Sequence, residues 1–521
     1  MDFGKEKIAL RLYQQTILNS AYKQNTLVIL PTGLGKTHIA IALAGLLHEK
    51  GKVLMMAPTL PLVNQHHKPF SEFFSPSEDL AVLSGKIKSE ERIELWKKAN
   101  LIFATPQTIR FDVIAGRISL SDLSLIVFDE AHRATGDYAY VFIAQAFMQT
   151  PNPGKILALT ASPGSEVNVD DICKNLFIEK IEARDRDHPE VIQYVKKIHT
   201  KFVMIDLTTA LLDIKKNLDV ALASRVGELA KYSGINLDPN KLSRKTILAL
   251  KQDLQTRFIV DKTYGRALSL CASVIKLQHA HALLTTESLQ ALRRYFEQIW
   301  FASAHSKKKA LKDIVSDFRV KLAYSLTIKA LENGLEHPKL DALRAAVERQ
   351  FESKPTSKIL VFTEFRDNVP TITDLLSSIP GVNVHKFIGQ ASRFEKGMNQ
   401  KMQSEVIERF RQNELNVLVC TSVGEEGIDI PDVDIVVFYS PLPSTIRTIQ
   451  RRGRTGRTDI GQVLMLVTKG TRDEAYYWAS KRKEEALQQV ISTLQFSGNE
   501  KPKQATLVPQ LENSNIMVFA D

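Results

Sequence analysis

Cysteine is scarce in this chain: only Cys173, Cys271 and Cys420 occur among its 521 residues. An odd number of cysteines without the spacing of a metal motif argues against a disulfide framework and against a cysteine-bound metal. Few cysteines are typical of proteins that stay in the reducing interior of the cell. We therefore predict an intracellular, cytoplasmic protein, in which Cys420 lies in an apolar run and serves packing.

Long apolar runs are missing as well. No stretch approaches the ~18 consecutive apolar residues that a membrane-spanning helix needs. Residues 1–7 also lack the apolar segment of a signal peptide, so we expect no membrane association. The 44% of hydrophobic and 24% of charged residues are ordinary for a globular protein. At roughly 150 residues per domain, the length predicts about three domains.

The excess positive charge is confined to the middle of the chain. The formal net charge of the whole sequence is +11. Residues 184–339 contain 27 Lys/Arg against 16 Asp/Glu, so this segment accounts for the entire excess. A concentrated basic segment predicts a polyanionic partner. The alternative is a basic surface that serves solubility alone.

Hydrophobic periodicity predicts three structured regions. Short apolar runs alternate with helical patterns in the first ~200 residues and again late in the chain, which predicts two α/β domains with parallel sheets. The Leu-, Ala- and Lys-rich stretch between them predicts an inserted helical bundle. We predict domains at 1–205, 206–335 and 336–496, followed by a linker at 497–521. The predicted strands are 27–30, 53–57, 101–104, 125–128, 156–159, 359–362, 417–420, 435–438 and 463–467.

The segment Leu30-Pro-Thr-Gly-Leu-Gly-Lys-Thr37 predicts a phosphate-binding loop. It lies between a predicted strand and a predicted helix, which is the context that such a loop needs. Gly33 and Gly35 let backbone N–H groups close around phosphate oxygens. Lys36 is predicted to reach the β- and γ-phosphates of ATP, and Thr37 to help hold Mg²⁺. Because the full motif has glycine where this chain has Leu30, an ordinary turn is the alternative.

Two adjacent carboxylates favour the nucleotide interpretation. Asp129 and Glu130 directly follow the apolar run at 125–128. Asp129 is predicted to anchor Mg²⁺, and Glu130 to orient or deprotonate the attacking water. An acidic strand end without a catalytic role is the alternative, but the phosphate-loop signature earlier in the chain argues against it.

A second half of the same site is predicted near the end of the chain. Residues 450–457 carry four arginines and two glycines. Guanidinium groups match phosphate oxygens and stay charged, so Arg454 and Arg457 are predicted to stabilise the transferred phosphate, and Gln450 to contact water or phosphate. The alternative is a basic nucleic-acid patch. Two half-sites this far apart predict an ATP site at a domain interface, where hydrolysis drives domain motion.

Together these motifs resemble the superfamily 2 helicases of the DEAH type over nearly the whole chain. The resemblance implies two tandem RecA-like domains and a thumb-like helical insertion. Residues 128–140, 389–393 and 469–478 are further similar to the archaeal Hef helicases, which are related to the eukaryotic Fanconi-anaemia M protein. That similarity implies a nucleoid-associated, ATP-dependent DNA helicase or translocase that moves 3′ to 5′ on forked or branched DNA and serves repair of stalled forks.

The resemblance also assigns roles to individual residues. Nucleotide contacts, including the adenine-reading motif, are implied for Arg11, Gln14, Gly427 and Asp429. Coupling of hydrolysis to movement is implied for His132, Thr160 and Ser162. Nucleic-acid contacts are implied for Thr59, Thr105, Gln107, Thr363 and Thr421.

The predicted insertion mixes aromatic with basic residues. Phe296 and Trp300 are four residues apart and share a helix face, which predicts core positions, with base stacking as the alternative. Its basic side chains are predicted to contact DNA phosphates, which gives structure-selective rather than sequence-selective binding. The predicted phosphate contacts are Arg293, Arg294, Lys307, Lys308 and Lys309.

The sequence is compatible with two other functions. An ATPase stimulated by duplex RNA is the main alternative, because RIG-I-like and Dicer helicases share the insertion and most motifs. A DNA-bridging scaffold with an inactive nucleotide site fits less well, since the catalytic residues are present. Residues 516–521 faintly resemble the first strand of the nuclease domain of Hef proteins, which would place a nuclease module beyond this chain. No nuclease activity is predicted for the chain itself.

Overall fold

A computed structural model describes the chain at residues 8–74, 80–161, 166–186, 188–194, 198–233, 242–389, 397–421, 433–441, 461–497 and 516–518. Within these residues the chain forms two parallel-sheet α/β domains and a helical bundle, which confirms the predicted fold class. A small third sheet pairs a strand near the start of the chain with one near its end.

The first domain is built on a parallel sheet. Its strands among the described residues run in the order β4-β5-β3-β6-β7-β2-β8. The strands are β2 (Thr26–Ile29), β3 (Lys52–Met56), β4 (Leu80–Leu83), β5 (Leu101–Ala104), β6 (Leu123–Phe128), β7 (Lys155–Thr160) and β8 (Lys180–Ala183); β1 (Ile8–Leu10) precedes them. The helices are α1 (Leu12–Lys23), α2 (Lys36–Leu47), α3 (Leu60–Phe73), α4 (Ser89–Lys98), α5 (Pro106–Ile114), α6 (Ala139–Met148) and α7 (Glu166–Asn175).

Both faces of this sheet are buried. Alternate residues of one strand enter two separate hydrophobic clusters: Leu27 and Ile29 pack on one face, and Val28 on the other. A strand buried on both faces reads as an uninterrupted apolar run, because side chains on either side of the pleat avoid water. This is why the central strands could be predicted from the sequence.

The second domain has a six-stranded parallel sheet among the described residues, in the order β11-β12-β10-β13-β14-β9. Its strands are β9 (Ile198–Ile205), β10 (Ile359–Phe362), β11 (Val384–Phe387), β12 (Val417–Cys420), β13 (Ile435–Phe438) and β14 (Gly461–Thr468). Its helices are α14 (Pro338–Ser353), α15 (Val369–Ser377), α16 (Gln400–Arg411) and α17 (Arg472–Ser497), and β15 (Ile516–Val518) pairs with β1.

The position of β9 differs from the expected domain range. The sequence-based range 1–205 groups residues 198–205 with the first domain, but β9 pairs in parallel with β14 of the second sheet along its whole length. The helical bundle therefore follows a strand of the second domain and precedes the rest of that domain. The helical pattern marks the bundle itself, whereas strand pairing between residues over 260 positions apart leaves no mark in the local sequence.

All nine predicted strands are present, and the described residues form six further strands that were not predicted. Four of these six, β4, β8, β9 and β11, lie at the edges of the two large sheets. Edge strands are solvated along one side and tolerate polar residues, so their apolar pattern is weak.

The bundle consists, within the described residues, of α8 (Thr209–Ser233), α9 (Arg244–Val260), α10 (Gly265–Ala282), α11 (Leu289–Ala304), α12 (Lys309–Ser316) and α13 (Phe318–Glu332). The segment Lys262–Glu287 is long and apolar enough to cross a membrane by length and composition alone. In the structure it contains α10, whose Leu270, Val274 and Leu277 lie in the core of the bundle.

A buried polar cluster joins the bundle to the second domain. Residues Leu283–Glu287 form a π-helical turn whose side chains are fully buried. The Glu287 carboxylate accepts hydrogen bonds from Thr363 Oγ1 (2.7 Å), Asn368 Nδ2 (2.8 Å) and Ser440 Oγ (2.6 Å) of the second domain. π-helical turns are rare in proteins, and those that occur are frequently found at functional sites. We call Glu287 and its partners the interdomain cluster.

Lys339 completes the interdomain cluster. Its fully buried ammonium donates to Thr286 O (3.0 Å), to Tyr439 O (2.8 Å) and to the carboxylate of Asp473. The cluster thus ties the bundle to α14, to the ends of β10 and β13 and to the start of α17. Buried charges are retained only where they are paired and hydrogen-bonded, as these are.

Candidate nucleotide site

The order of the strands brings the sequence motifs of the first domain together. β6, β7 and β2 are neighbours in the sheet. Asp129 follows β6, Thr160 ends β7 and the phosphate loop follows β2. Since all three strands are parallel, their carboxyl ends meet at one edge, where open α/β sheets bind ligands.

The phosphate loop has the backbone that its glycines predict. Gly33 and Gly35 have φ of +87° and +73°, the left-handed region that favours glycine. At Gly35 an added Cβ would lie 2.3 Å from Gln14 Nε2, so a side chain there would displace the Gln14 amide. Lys36 opens α2, and its Nζ donates to Leu30 O (2.8 Å) and Pro31 O (3.3 Å). The ammonium therefore lies over the loop, where phosphate oxygens would replace the carbonyls.

Arg11 and Gln14 lie beside this loop. Gln14 is buried, and its Nε2 donates to Leu34 O (3.1 Å) while its Oε1 accepts from Arg11 N (2.9 Å). Gln14 thus links the residue before α1 to the phosphate loop. The side chain of Arg11 is exposed, and its guanidinium carbon lies 4.1 Å from the centre of the Tyr194 ring.

Asp129 is held by a histidine that the motifs did not indicate. His66 of α3 has Nε2 at 2.8 Å from Asp129 Oδ2, and both side chains are buried. Burial alone would raise the pKa of Asp129, but the neighbouring His66 and Lys36 bring it below its usual value. Asp129 is therefore ionised, and its Oδ2 accepts a hydrogen bond from His66 Nε2–H. The two residues are 63 positions apart, and no local pattern could reveal their contact.

Glu130 has an unusual backbone. Its φ of +49° and ψ of +49° lie in the left-handed region, which costs a non-glycine residue on the order of 1–3 kcal/mol. Such strain is typical of active sites, where the surroundings hold a side chain in a working position. Glu130 Oε2 lies 3.3 Å from His132 Nδ1.

His132 connects Glu130 to the neighbouring strand. The same Nδ1 lies 3.3 Å from the hydroxyl of Thr160, which is fully buried at the end of β7. Thr160 O in turn accepts from Leu30 N (3.1 Å), at the start of the phosphate loop. A contiguous polar path therefore runs from the catalytic candidate Glu130 to the phosphate loop.

The oxygens at this edge suit Mg²⁺. Mg²⁺ prefers carboxylate and hydroxyl oxygens and is usually bound by one or two protein ligands together with substrate phosphates and water. Asp129 is ionised, and it contacts His66 through Oδ2. Thr37 is the second residue of α2 and follows Lys36. In the part of the chain that the structure describes, no cluster of three or more His, Cys, Asp or Glu side chains forms a self-contained metal site. Any Mg²⁺ here would depend on Thr37, Asp129 and the nucleotide.

Several predicted residues lie outside the described part of the chain. The structure therefore does not place the second half of the predicted ATP site. These residues are Ser162, Gly427, Asp429, Gln450, Arg454 and Arg457.

The predicted nucleic-acid contacts of the two sheets have different surroundings. Thr105 caps α5 and its hydroxyl lies 2.9 Å from that of Thr108, while Gln107 is exposed on the same helix. Among the described residues, the hydroxyls of Thr59 and Thr421 have no hydrogen-bond partner. Thr363 is fully buried, and its hydroxyl is bonded to Glu287. The structure thus places the Thr363 side chain inside the interdomain cluster.

The basic residues of the bundle fall into two groups. Lys307, Lys308 and Lys309 are exposed, and none is paired with a carboxylate in the described part of the chain. Arg293 instead pairs with Glu297 (3.1 Å) on its own helix. Arg294 donates to Asp367 O (2.8 Å) and Thr371 Oγ1 (2.6 Å) of the second domain, so the structure uses it as an interdomain contact.

Phe296 and Trp300 of α11 pack as predicted, whereas Phe301 is exposed. Phe296 is fully buried and lies edge-on to Trp300, which packs on the bundle core. Phe301 is 68% exposed. It follows Trp300 directly in sequence, which places it about 100° around the helix from Trp300 and off the face that packs on the core.

Family models match all three regions of the chain. The DEAD/DEAH box helicase model matches residues 11–170, and the helicase conserved C-terminal domain model matches residues 338–459. A helical-bundle model described for an ATP-dependent RNA helicase matches residues 210–334. The chain belongs to the DEAD/DEAH-box helicases, because its fold, its motifs and the matching family models agree.

Individual relatives narrow the family. The crystal structure of the Hef helicase domain of Pyrococcus furiosus is 44% identical, covers 90% of this chain and 98% of its own, and superposes with a TM-score of 0.69. A Methanocaldococcus jannaschii protein whose name describes an ATP-dependent RNA helicase is 40% identical over 93% of this chain. The ATP-dependent DNA helicase fml1 of Schizosaccharomyces pombe is 32% identical over 93% of this chain. The chain spans 61% and 60% of the length of these two proteins. It belongs to the Hef family of helicases.

Proposed function

We propose that the chain hydrolyses ATP with Mg²⁺ and uses the energy to translocate along DNA, with forked or branched DNA as its substrate and 3′ to 5′ as its direction. One observation carries the catalytic part: Lys36, Asp129, Glu130 and Thr160 converge on one sheet edge. This arrangement supplies a cation for the phosphates, a metal-binding carboxylate and a base for water.

The residues divide the chemistry among themselves. Lys36 binds the β- and γ-phosphates, and Thr37 and Asp129 hold Mg²⁺, which neutralises phosphate charge when bound. Glu130 orients the attacking water or accepts its proton. His132 and Thr160 link Glu130 to the phosphate loop through their polar contacts, so that a movement of Glu130 displaces them. Arg454 and Arg457 of the second domain are proposed to approach the γ-phosphate, and Gln450, Gly427 and Asp429 the nucleotide.

The choice of DNA rests on relatives. The fml1 helicase is named for DNA, while the M. jannaschii relative and the matching helical-bundle model are named for RNA. An ATPase stimulated by duplex RNA is therefore the second candidate. We place DNA first because the chain belongs to the Hef family and is similar to fml1, which is named for DNA. The excess positive charge of residues 184–339 suits either nucleic acid.

An ATPase screen separates these candidates. We expect phosphate release to be stimulated most by forks and four-way junctions, less by single-stranded DNA and least by duplex RNA of matched length. Strongest stimulation by duplex RNA would establish the second candidate. If none of the nucleic acids stimulated turnover above the basal rate, the motor assignment would be lost.

Charge reversal at Lys307, Lys308 and Lys309 is expected to weaken binding to branched DNA. Each lost phosphate contact lowers the slope of log K against log salt by about 0.9, so three contacts lower it by about 2 to 3. The measurement is a salt series of fluorescence anisotropy with a labelled fork. The triple lysine-to-arginine variant keeps the charge and is expected to retain the slope of the unmodified protein. Equal slopes in the reversed and unmodified proteins would exclude these lysines as phosphate contacts.

A further inference from the structure

The guanidinium of Arg11 is supported from one side by an aromatic ring. Its carbon lies 4.1 Å from the centroid of the Tyr194 ring, a distance typical of a cation–π contact. Tyr194 in turn lies 5.7 Å from the ring of Tyr13. Tyr13 is fully buried, and its hydroxyl donates to Leu34 O (2.8 Å) in the phosphate loop. The two tyrosines therefore connect the phosphate loop to the ring that lies against the Arg11 guanidinium.

Tyr194 is itself anchored. It ends the short 3₁₀ turn Ile192–Tyr194, and its N–H donates to Val191 O (2.8 Å). Val191 is fully buried in the core cluster on the phosphate-loop side of the first sheet, and Tyr194 packs against the same cluster. The ring thus has a fixed place behind Arg11.

Arg11 is exposed, although its backbone is fastened to the phosphate loop through Gln14. A guanidinium whose position is set on one face and free on the other is a platform on which a planar group can stack. Next to a phosphate loop, the planar group at hand is the base of the bound nucleotide.

We propose that Tyr194 is a positioning residue for nucleotide binding, which holds the Arg11 guanidinium so that the nucleotide base stacks on its free face. The inference rests on the proposed nucleotide site. It adds a residue from outside the sequence motifs and assigns it the base end of the nucleotide, not the phosphate end.

Tyr194 lies close in sequence to the first strand of the second domain. Tyr194 precedes by four residues the start of β9, Ile198, which pairs in the second sheet. The ring behind Arg11 therefore lies close to the point where the chain passes from the first sheet to the second. A base stacked on Arg11 would therefore lie near the segment that connects the two domains.

The test compares ligands with and without a base. In equilibrium competition experiments with Mg²⁺, Tyr194→Ala is expected to weaken ATP binding by about five- to tenfold, the value of one cation–π contact. Binding of inorganic tripolyphosphate, which meets only the phosphate loop, is expected to stay within twofold. Tyr194→Phe retains the ring and is expected to bind both ligands like the unmodified protein.

A double-mutant cycle with Arg11 provides the control for a merely structural role. If Tyr194 acts through Arg11, Tyr194→Ala has no further effect on ATP binding in the Arg11→Ala background. Additive losses, or equal losses for ATP and tripolyphosphate, would overturn the proposal. These binding measurements do not depend on turnover, so an inactive unmodified protein would refute the proposed ATPase while still allowing the role of Tyr194 to be decided.

Discussion

Lys36→Ala is expected to abolish ATP hydrolysis, with turnover lower by at least about a hundredfold, the usual loss when one charge-stabilising donor is removed from an active site. The ammonium now rests on two loop carbonyls, Leu30 O and Pro31 O, and these are weak partners compared with phosphate oxygens. The measurement is steady-state phosphate release with and without a DNA fork.

The same variant should keep its fold and its affinity for DNA. Lys36 is only partly buried, and it donates to two backbone carbonyls of the phosphate loop, Leu30 O and Pro31 O. Lys50→Ala is the matched control, because Lys50 follows the same helix α2 and its Nζ donates to the hydroxyl of Tyr22 of α1 (3.1 Å) and not to the phosphate loop among the described residues. Unchanged turnover in Lys36→Ala, or an equal loss in Lys50→Ala, would contradict the assignment of the phosphate loop.

Glu287→Ala is expected to lower the free energy of unfolding by about 3 kcal/mol or more, since each buried donor left without a partner costs about 1–3 kcal/mol. The variant would strand the donors of Thr363, Asn368 and Ser440. Urea denaturation followed by circular dichroism measures the change. Glu297→Ala removes a half-exposed carboxylate from the neighbouring helix α11 and is expected to cost less than about 0.5 kcal/mol. A similar small loss in both variants would mean that the interdomain cluster does not stabilise the fold.

The interdomain cluster also predicts a dependence of stability on pH. Burial raises the pKa of Glu287 from 4.5 to about 7, against the opposing effects of Lys339 and the hydrogen bonds from Ser440 and Thr363. Between these two values the folded protein keeps a proton that the unfolded chain has lost, so this contribution to stability falls as pH rises from about 4.5 to 7.

Glu287→Gln isolates this effect because the amide cannot titrate. The other titratable groups of the interdomain cluster, Lys339 and Asp473, are common to both proteins. We therefore expect the unmodified protein to lose stability relative to Glu287→Gln, by on the order of 3 kcal/mol, between pH 4.5 and pH 8. Parallel unfolding profiles of the two proteins across this range would contradict the raised pKa.

The first half of the site could be predicted almost completely from the sequence. Lys36, Thr37, Asp129 and Glu130 lie in short motifs whose chemistry depends on neighbours in the chain, and the structure collects them at one sheet edge. His66 and Tyr194 could not be predicted, because each acts on a residue more than sixty positions away. Thr363 and Arg294 also have partners that the sequence did not indicate, because long-range packing bonds them to Glu287 and to Asp367 and Thr371.

The sequence by itself determined the central strands, the helical bundle and the chemistry of the phosphate loop, because burial on both faces, helical periodicity and glycine-rich turns are local properties. The tertiary structure alone decided that β9 joins the second sheet, that His66 holds Asp129 and that Glu287 ties the bundle to the second domain. Each of these depends on hydrogen bonds between distant segments. Their partners are chosen when the sheets assemble, since a buried polar group must then find whichever partner the fold has brought within reach.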